Sequence, residues 1–494
     1  MTNKYNSITL DNFNIINDYY NKDDVLFLNS YLNSKIFIKS YDEVNEKIIF
    51  PQKTLQLIVR PECNQKCDYC YITKYGNELY PKEERVNNQI ILNNLKKLLI
   101  FLNYKKTFIN SWDIFAGDLF YDNFWFDIMD IFYNYYIELF DNNHSLLKFL
   151  KENNEYIYIG NPNNCSFCQD KEKIKKVQKY IDKFKELNIL IFFSYSHDGP
   201  FNINIREKRE INEEYYHNVF TFLKFNGFGC HPMVSYEGIE NSIQNYEWWK
   251  KQYNLYNLNQ NGKNYLPMFL EVRNDGWTKE KIQKYLEFLN YMIEDRLKMC
   301  NNNIIELAKN ILKNHQKKLL PSLSNNDLIK LVPINKNSKS TFSCVLGHAI
   351  SIKLNNLSIV PCHRMAYPKF EIGTINIDNF IIDIKNNADA YYAMTEANTL
   401  MLPGCAQCHY RFFCPKGCIG SQYETYGDWN VPVKSVCDLF KAKYDFLFKK
   451  YHELNLFHYY FQNDEIFNSK NSVESRRYLE FLLMKGYKEY EQYL

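Results

Sequence analysis

The 494-residue chain is short of several features that would narrow its class at once. No uninterrupted apolar run reaches the roughly 18 residues of a membrane span. The opening MTNKYNSITLDNFN has no basic stretch followed by an apolar run, so it does not read as a secretory signal. Neither sign of charge dominates: 60 Lys and Arg face 57 Asp and Glu, a net charge of +3. That balance offers no basic footprint for nucleic acid and no attraction to an acidic membrane surface. Repeats and low-complexity tracts are absent. The expectation is a cytoplasmic protein with neither nucleic acid nor membrane as partner.

Apolar residues make up 46% of the chain, enough for a sizeable core, and the length suits two to four domains. Asn, Lys, Ile, Tyr and Phe are heavily used. All have A/T-rich codons, so the 17% aromatic content reflects a genomic bias before it indicates a base-stacking surface. The 14 cysteines carry more information. In a cytosolic chain they argue for metal or redox chemistry over a disulfide framework. Cys63, Cys67 and Cys70 form one group, and Cys344, Cys362, Cys405, Cys408, Cys414, Cys418 and Cys437 form a second.

Between the groups, apolar strand patterns alternate with amphipathic helical ones. TLQLIVR (54–60) predicts a strand, VNNQIILNNLKKLLIFLNY (86–104) a helix, FINSWDIFAG a strand ending at Gly117, and EYIYIGN a third strand. LIFFSYSHDGP predicts a fourth strand, with CHPMVSY and YLPMFLEVRN as two more. Repeated β-then-α units imply a parallel sheet. About six strands are fewer than a closed eight-stranded barrel needs. The fold class is therefore α/β, a partial (β/α)6 TIM-like barrel, with a cysteine-rich C-terminal domain and closing helices. The boundaries are 1–50 for an N-terminal extension with a β-hairpin, 51–325 for the barrel, 326–440 for the cysteine-rich domain and 441–494 for the closing helices.

RPECNQKCDYCY, from Arg60 to Tyr71, offers three thiolates where a zinc site wants four ligands, and no fourth Cys or His lies nearby in sequence. The Cys63-x3-Cys67-x-Tyr69-Cys70 pattern, directly after a first strand, resembles the signature of radical S-adenosylmethionine (SAM) enzymes. Cys405-x2-Cys408-x5-Cys414-x3-Cys418, with a later Cys437 and an earlier Cys344 and Cys362, is similar to a SPASM domain. The resemblance covers roughly residues 51–440. It implies a 4Fe–4S cluster held by Cys63, Cys67 and Cys70, whose open iron chelates SAM. Reductive cleavage then yields a 5′-deoxyadenosyl radical that abstracts hydrogen from substrate.

The resemblance assigns further SAM contacts. The family's Gly-Gly-Glu-Pro corresponds to Ala116-Gly117-Asp118-Leu119, keeping the tight turn and a shorter acid but no Pro. SYSHDGP resembles a Ser-x-Asp-Gly-Pro segment, in which Ser196 reaches the SAM carboxylate, with Arg206 or Arg209 as a fork for it. Tyr69, Asn161 at the end of the third strand, and Arg273 at the end of the last barrel strand are placed at the same mouth. A structural ion pair is the other reading of Arg273, and solvated helix residues the other reading of the two arginines.

In relatives with a similar pattern, cysteines interleave between two auxiliary clusters. Carried over, Cys405, Cys408, Cys414 and Cys437 hold one 4Fe–4S cluster, while Cys344, Cys362 and Cys418 hold the other. His348 or His363 completes the second, or its iron stays open. Leu357 stands where the family places Gly, with Asn355-Asn356 available for the turn. Cys165 and Cys168 read as unligated thiols near the cofactor mouth, Cys230 and Cys300 as buried small hydrophobes. The expected activity is a radical SAM enzyme that installs a thioether or carbon–carbon crosslink in a ribosomally made peptide. Oxidation of a protein residue as in sulfatase maturation, peptide epimerisation, and a zinc-binding scaffold without catalysis are the alternatives. The expected partners are a peptide or protein substrate and an electron donor such as flavodoxin or ferredoxin.

Overall fold

A computed structural model describes residues 54–105, 109–115, 117–206, 211–226, 229–258, 269–299, 350–385, 405, 408–410, 417–462 and 473–493. The expected N-terminal hairpin, Ala116, Arg209, Cys300, Cys344, His348 and Cys414 lie outside them. Two compact units are present. The first contains residues 1–196, 206–229 and 344–398, and the second 197–205, 230–343 and 399–494.

In the first unit, β1 (Thr54–Ile58), β2 (Ser111–Phe115), β3 (Ile157–Asn163) and β4 (Ile189–Tyr195) pair in parallel, each with its neighbour in sequence. Helices follow each strand, as the alternating pattern requires: Tyr71–Leu79 and Asn88–Tyr104 after β1, Phe124–Asn142 after β2, Lys171–Lys185 after β3. Asn87 caps the long helix by accepting from the backbone N–H of Ile90 at 3.0 Å, satisfying a donor that has no partner within the helix. Ile91, Leu95, Leu98, Leu99 and Leu102 recur at helical spacing and are all buried. Together with Trp112, Ile114, Ile159 and Phe193 of the strands they form the core, each large side chain contributing about 1.5–3 kcal/mol relative to exposure. Trp112 stays buried because its indole Nε1 donates to the Tyr136 hydroxyl at 2.6 Å.

A further β-region joins this sheet. β8 (Ile350–Lys353) runs parallel to β1 on the side opposite β2, and β9 (Ser358–Val360), β10 (Gly373–Asn376) and β11 (Ile381–Ile384) continue antiparallel. With β5 (Gly229–Cys230) the sheet has nine strands in the order β11-β10-β9-β8-β1-β2-β3-β4-β5. The β8–β9 turn is unusual. Asn356 accepts from the Ser358 backbone N–H at 3.0 Å, and Leu357 takes φ +60°, a left-handed conformation that favours glycine. The family's glycine thus has a backbone counterpart here, filled by a buried leucine.

The second unit holds β6 (Met233–Val234) and β7 (Leu270–Glu271) as a parallel pair, shorter than the strands the sequence predicts. Its helices include Ser242–Leu255, Lys279–Met299 and Lys434–Glu453. Lys443 from the last of these makes a buried ion pair with Glu271, which also accepts from the Tyr285 hydroxyl at 2.5 Å. No helix of the described residues is long and apolar enough to cross a membrane.

Candidate functional site

The parallel strands of the first unit place their following loops at one edge of the sheet, the edge at which open α/β folds bind ligands. The cysteine loop follows β1, Gly117-Asp118 follows β2, Asn164 to Ser166 follow β3, and Ser196 follows β4. Cys63 is exposed, Cys67 and Cys70 are half-buried, and none is in a disulfide. Cys70 closes a turn by donating its N–H to the Cys67 carbonyl at 3.1 Å and then caps the helix Tyr71–Leu79. The Gln65 backbone N–H points at Cys63 Sγ, 3.4 Å away. Such amide-to-sulfur bonds tune the potential of iron–sulfur clusters.

Three contacts fix this loop to the sheet. The Gly117 N–H donates to the Arg60 carbonyl at 3.0 Å and the Asp118 N–H to the Glu62 carbonyl at 2.7 Å. A Cβ on Gly117 would lie 1.9 Å from the Glu62 carbonyl oxygen, so this approach needs glycine. Asn64 accepts from the Asn164 side chain at 2.9 Å, 100 residues on. At the base of the loop, Arg60 forks onto both oxygens of Asp122 at 2.8 and 2.5 Å and lies over the Phe124 ring at 4.7 Å. That fork holds the Asp122 carboxyl below its ordinary range. Nothing local in the sequence signals the Arg60 or Asn64 partners.

Asp118 is buried. Its Oδ2 accepts from the Ser166 hydroxyl at 2.6 Å and its Oδ1 from the Phe120 N–H at 2.9 Å, so it is aligned by the loop after β3. Arg206 is also buried, donating to the Tyr69 hydroxyl at 2.6 Å with its guanidinium 5.7 Å from that ring centre. The sequence thus places Arg206 at the cysteine loop through Tyr69. Cys63 is crowded on its inner side, and this desolvation lifts the thiol to about 11; Gln65 opposes the rise, Asp118 and Cys70 add to it, and Arg206 opposes it. These groups therefore share one electrostatic neighbourhood.

Other sequence-derived candidates take different places. Asn161 does not end its strand; β3 continues to Asn163, and the Asn161 side chain donates to the Ile114 carbonyl at 3.0 Å while accepting from Asn163 at 3.3 Å. Ser196 is half-buried, with its N–H on the Asn163 carbonyl at 2.8 Å. Cys165 and Cys168 are both fully buried, with Phe167 between them packed into the aromatic cluster of Phe120, Phe193 and Phe222. Cys230 is buried as expected.

Cys362 follows β9 in the first unit and is buried. The next residue, His363, stacks on Phe115 at 3.9 Å between ring centres and faces Tyr71 at 5.8 Å. Enclosure, with Arg364 beside it, drives its imidazole down to about 4, so it is neutral at pH 7. Its Nδ1 is buried without a hydrogen-bond partner among the described residues.

In the second unit, Cys405 and Cys408 form a turn through the Cys408 N–H and Cys405 carbonyl at 3.0 Å. Cys437 lies in the first turn of Lys434–Glu453; burial raises its thiol, and Cys408 is close enough to act on it. Tyr410 ties the Cys408 turn to that helix, its hydroxyl reaching both Asp445 oxygens at 2.7 Å. Cys418 caps the helix Ile419–Tyr426. The Arg273 guanidinium lies 5.8 Å from the Phe440 ring centre, and its carbonyl accepts from Ser421 at 2.6 Å.

Thiolates on a single tetrahedral ion stand about 3.8 Å apart. Among the described residues no three His, Cys, Asp or Glu side chains converge in that way. Three cysteines on one short loop, with an amide aimed at the first sulfur, are a donor set that suits a 4Fe–4S cluster.

No family model matches the chain, and no curated protein matches it. Fourteen chains of solved structures do. Native anSMEcpe with bound AdoMet is 14% identical, with 81% of this chain and 99% of that one covered and a TM-score of 0.50. Native anSMEcpe with bound AdoMet and Cp18Cys peptide is 15% identical over the same shares, with a TM-score of 0.49. Streptococcus suis SuiB bound to S-adenosylmethionine is 13% identical, covering 87% of this chain and 83% of that one, with a TM-score of 0.39. At these identities the likeness is one of fold: the chain has the fold of anSMEcpe, a structure solved with AdoMet bound.

Proposed function

We propose that the chain is a radical SAM maturase that modifies a peptide. The observation that carries this reading is the Cys63, Cys67 and Cys70 loop at the ligand-binding edge of a parallel sheet, held there by the close approach of Gly117. A 4Fe–4S cluster bound by these thiolates would supply the electron that cleaves AdoMet. The chain's own residues do the rest. Gly117 and Asn164 hold the loop against β2 and β3. Gln65 donates to the Cys63 sulfur. Asp118, aligned by Ser166, supplies an acceptor near Cys63 for the AdoMet amino group, and Arg206, braced on Tyr69, supplies a cation there. Ser196 and Arg209 remain candidate contacts to the carboxylate, and Tyr69, Asn161 and Arg273 further candidate cofactor contacts. Cys405, Cys408, Cys414 and Cys437 are assigned to one auxiliary cluster, Cys344, Cys362 and Cys418 to another.

The product proposed is a thioether or carbon–carbon crosslink in a ribosomally made peptide, with flavodoxin or ferredoxin as electron donor. Oxidation of a residue gives the same loss of two hydrogen atoms, whereas epimerisation leaves the mass unchanged. The test is anaerobic reconstitution with iron and sulfide, reduction, and measurement of 5′-deoxyadenosine. The chain is expected to form it, and Cys67→Ala to abolish it. Formation by Cys67→Ala at the wild-type rate would remove the assignment.

A further inference from the structure

The two faces of the sheet in the first unit differ. One carries Leu55, Leu57, Trp112, Ile114, Ile157, Ile159 and Ile191, all buried. The other is open in places: along β3 buried and more exposed residues alternate, and Tyr158 and Phe192 are 37% and 41% exposed. Sheets built from parallel strands are normally covered on both faces. Where that face is open, along β3 and β4, a ligand has room to lie.

Strand register puts Ser351, Gln56, Asp113, Gly160 and Phe192 in one row across five adjacent strands. Ser351 donates its hydroxyl to Gln56 Oε1 at 2.7 Å. With that oxygen engaged, Gln56 has its amide N–H left to offer the Asp113 carboxylate, its register partner on β2. The Asp113 carboxylate leans across its other neighbour: a Cβ on Gly160 would meet Asp113 Oδ1 at 2.8 Å. Beyond Gly160, one strand spacing of about 4.8 Å away, is the exposed ring of Phe192. Partial burial raises the Asp113 carboxyl while Gln56 opposes the rise. No Lys or Arg pairs with it among the described residues. A partly covered carboxylate with no cation paired to it among the described residues is a costly arrangement unless a cation arrives from elsewhere.

We infer that Asp113, Gly160 and Phe192 form a specificity subsite for a basic side chain of the peptide substrate, with the Asp113 carboxylate and the Phe192 ring as its two contacts. The inference rests on the peptide-modifying reading and adds the substrate class. An arginine suits the row best. Its planar guanidinium offers fixed donors to a carboxylate and a flat face to an aromatic ring, and glycine between the two leaves the space for it. The role is recognition. Neither side chain donates or accepts a proton in the reaction.

The probe is a capped Gly-Arg-Gly peptide, set against capped Gly-citrulline-Gly, which keeps the shape and loses the charge. Both are titrated calorimetrically into the full, reconstituted chain, and AdoMet cleavage by the wild type is measured in parallel. The arginine peptide is expected to bind about tenfold more tightly, equivalent to about 1.4 kcal/mol. Asp113→Asn should bring the two within about twofold, Phe192→Leu should weaken the arginine peptide, and Gly160→Ala should act like Asp113→Asn by displacing the carboxylate. The preference should grow with pH as Asp113 loses its proton. Equal binding of the two peptides, no saturation by the arginine peptide, or an unchanged preference in Asp113→Asn overturns the subsite. A wild type that does not cleave AdoMet sinks the family reading instead, and the titration separates the two failures.

Discussion

Replacing Gly117 by Ala tests how the cysteine loop is held. The new Cβ would stand 1.9 Å from the Glu62 carbonyl oxygen, 2.3 Å from its carbon and 2.6 Å from the Pro61 carbonyl oxygen. All three are backbone atoms, so no side chain can swing aside. An ordinary contact begins near 3.4 Å, and 3.4 less 1.9 means that the two loops must part by about 1.5 Å. That displacement breaks the hydrogen bonds from Gly117 to Arg60 and from Asp118 to Glu62, each about 0.5–1.5 kcal/mol net. The expected cost is therefore about 2 kcal/mol, a fall in Tm of about 4–8 °C if the first unit melts cooperatively. Because Cys63 directly follows Glu62, the same movement displaces the first thiolate. Iron retained at Cys63, Cys67 and Cys70 should drop, measured on a variant whose auxiliary cysteines are replaced. A Gly117→Ala protein with unchanged Tm and full iron would refute the view that this approach positions the loop.

Three other substitutions have defined outcomes. At Leu357, φ +60° opposes any side chain, so Leu357→Gly should be more stable than Leu357→Ala by about 1 kcal/mol in urea unfolding, the reverse of the usual order; the usual order would show that the left-handed turn is wrong. Lys443→Met should destabilise the second unit by about 3–5 kcal/mol by stranding Glu271, and adding Glu271→Leu should recover most of it; a double variant as poor as the single one contradicts the buried pair. The Asp122 carboxyl is held below its unfolded value by Arg60, so its contribution is present above about pH 4 and is lost as the pH falls through the folded-state value. The gap in urea midpoint between wild type and Asp122→Asn, about 1 kcal/mol or less because the carboxylate is 39% exposed, should narrow with acid and not widen.

What the sequence conveys and what it hides divide along physical lines. The helix at Asn88–Tyr104 is legible because its apolar spacing and Asn87 cap are local, and the cysteine loop is legible because its three cysteines lie within eight residues. Contacts between distant segments leave no such trace. Asn64 with Asn164, Arg60 with Asp122 and Asp118 with Ser166 depend on which strands become neighbours. The addition of β8 beside β1 is of the same kind, since a short Ile-Ser-Ile-Lys strand carries no information about which edge it joins. The burial of Cys165 and Cys168 leaves no local trace either, since Phe167 between them carries more apolar area and takes both thiols into the core with it.

The central claim is that three thiolates hold a cluster whose remaining corner binds AdoMet. The most direct measurement is the electron paramagnetic resonance spectrum of the reduced, anaerobically reconstituted protein before and after AdoMet is added, on a variant lacking the auxiliary cysteines so that one cluster alone is observed. The account predicts a 4Fe–4S signal that changes on addition of AdoMet and is absent in the same variant carrying Cys67→Ala. Stoichiometric zinc with no such signal, or a cluster signal indifferent to AdoMet, would contradict it.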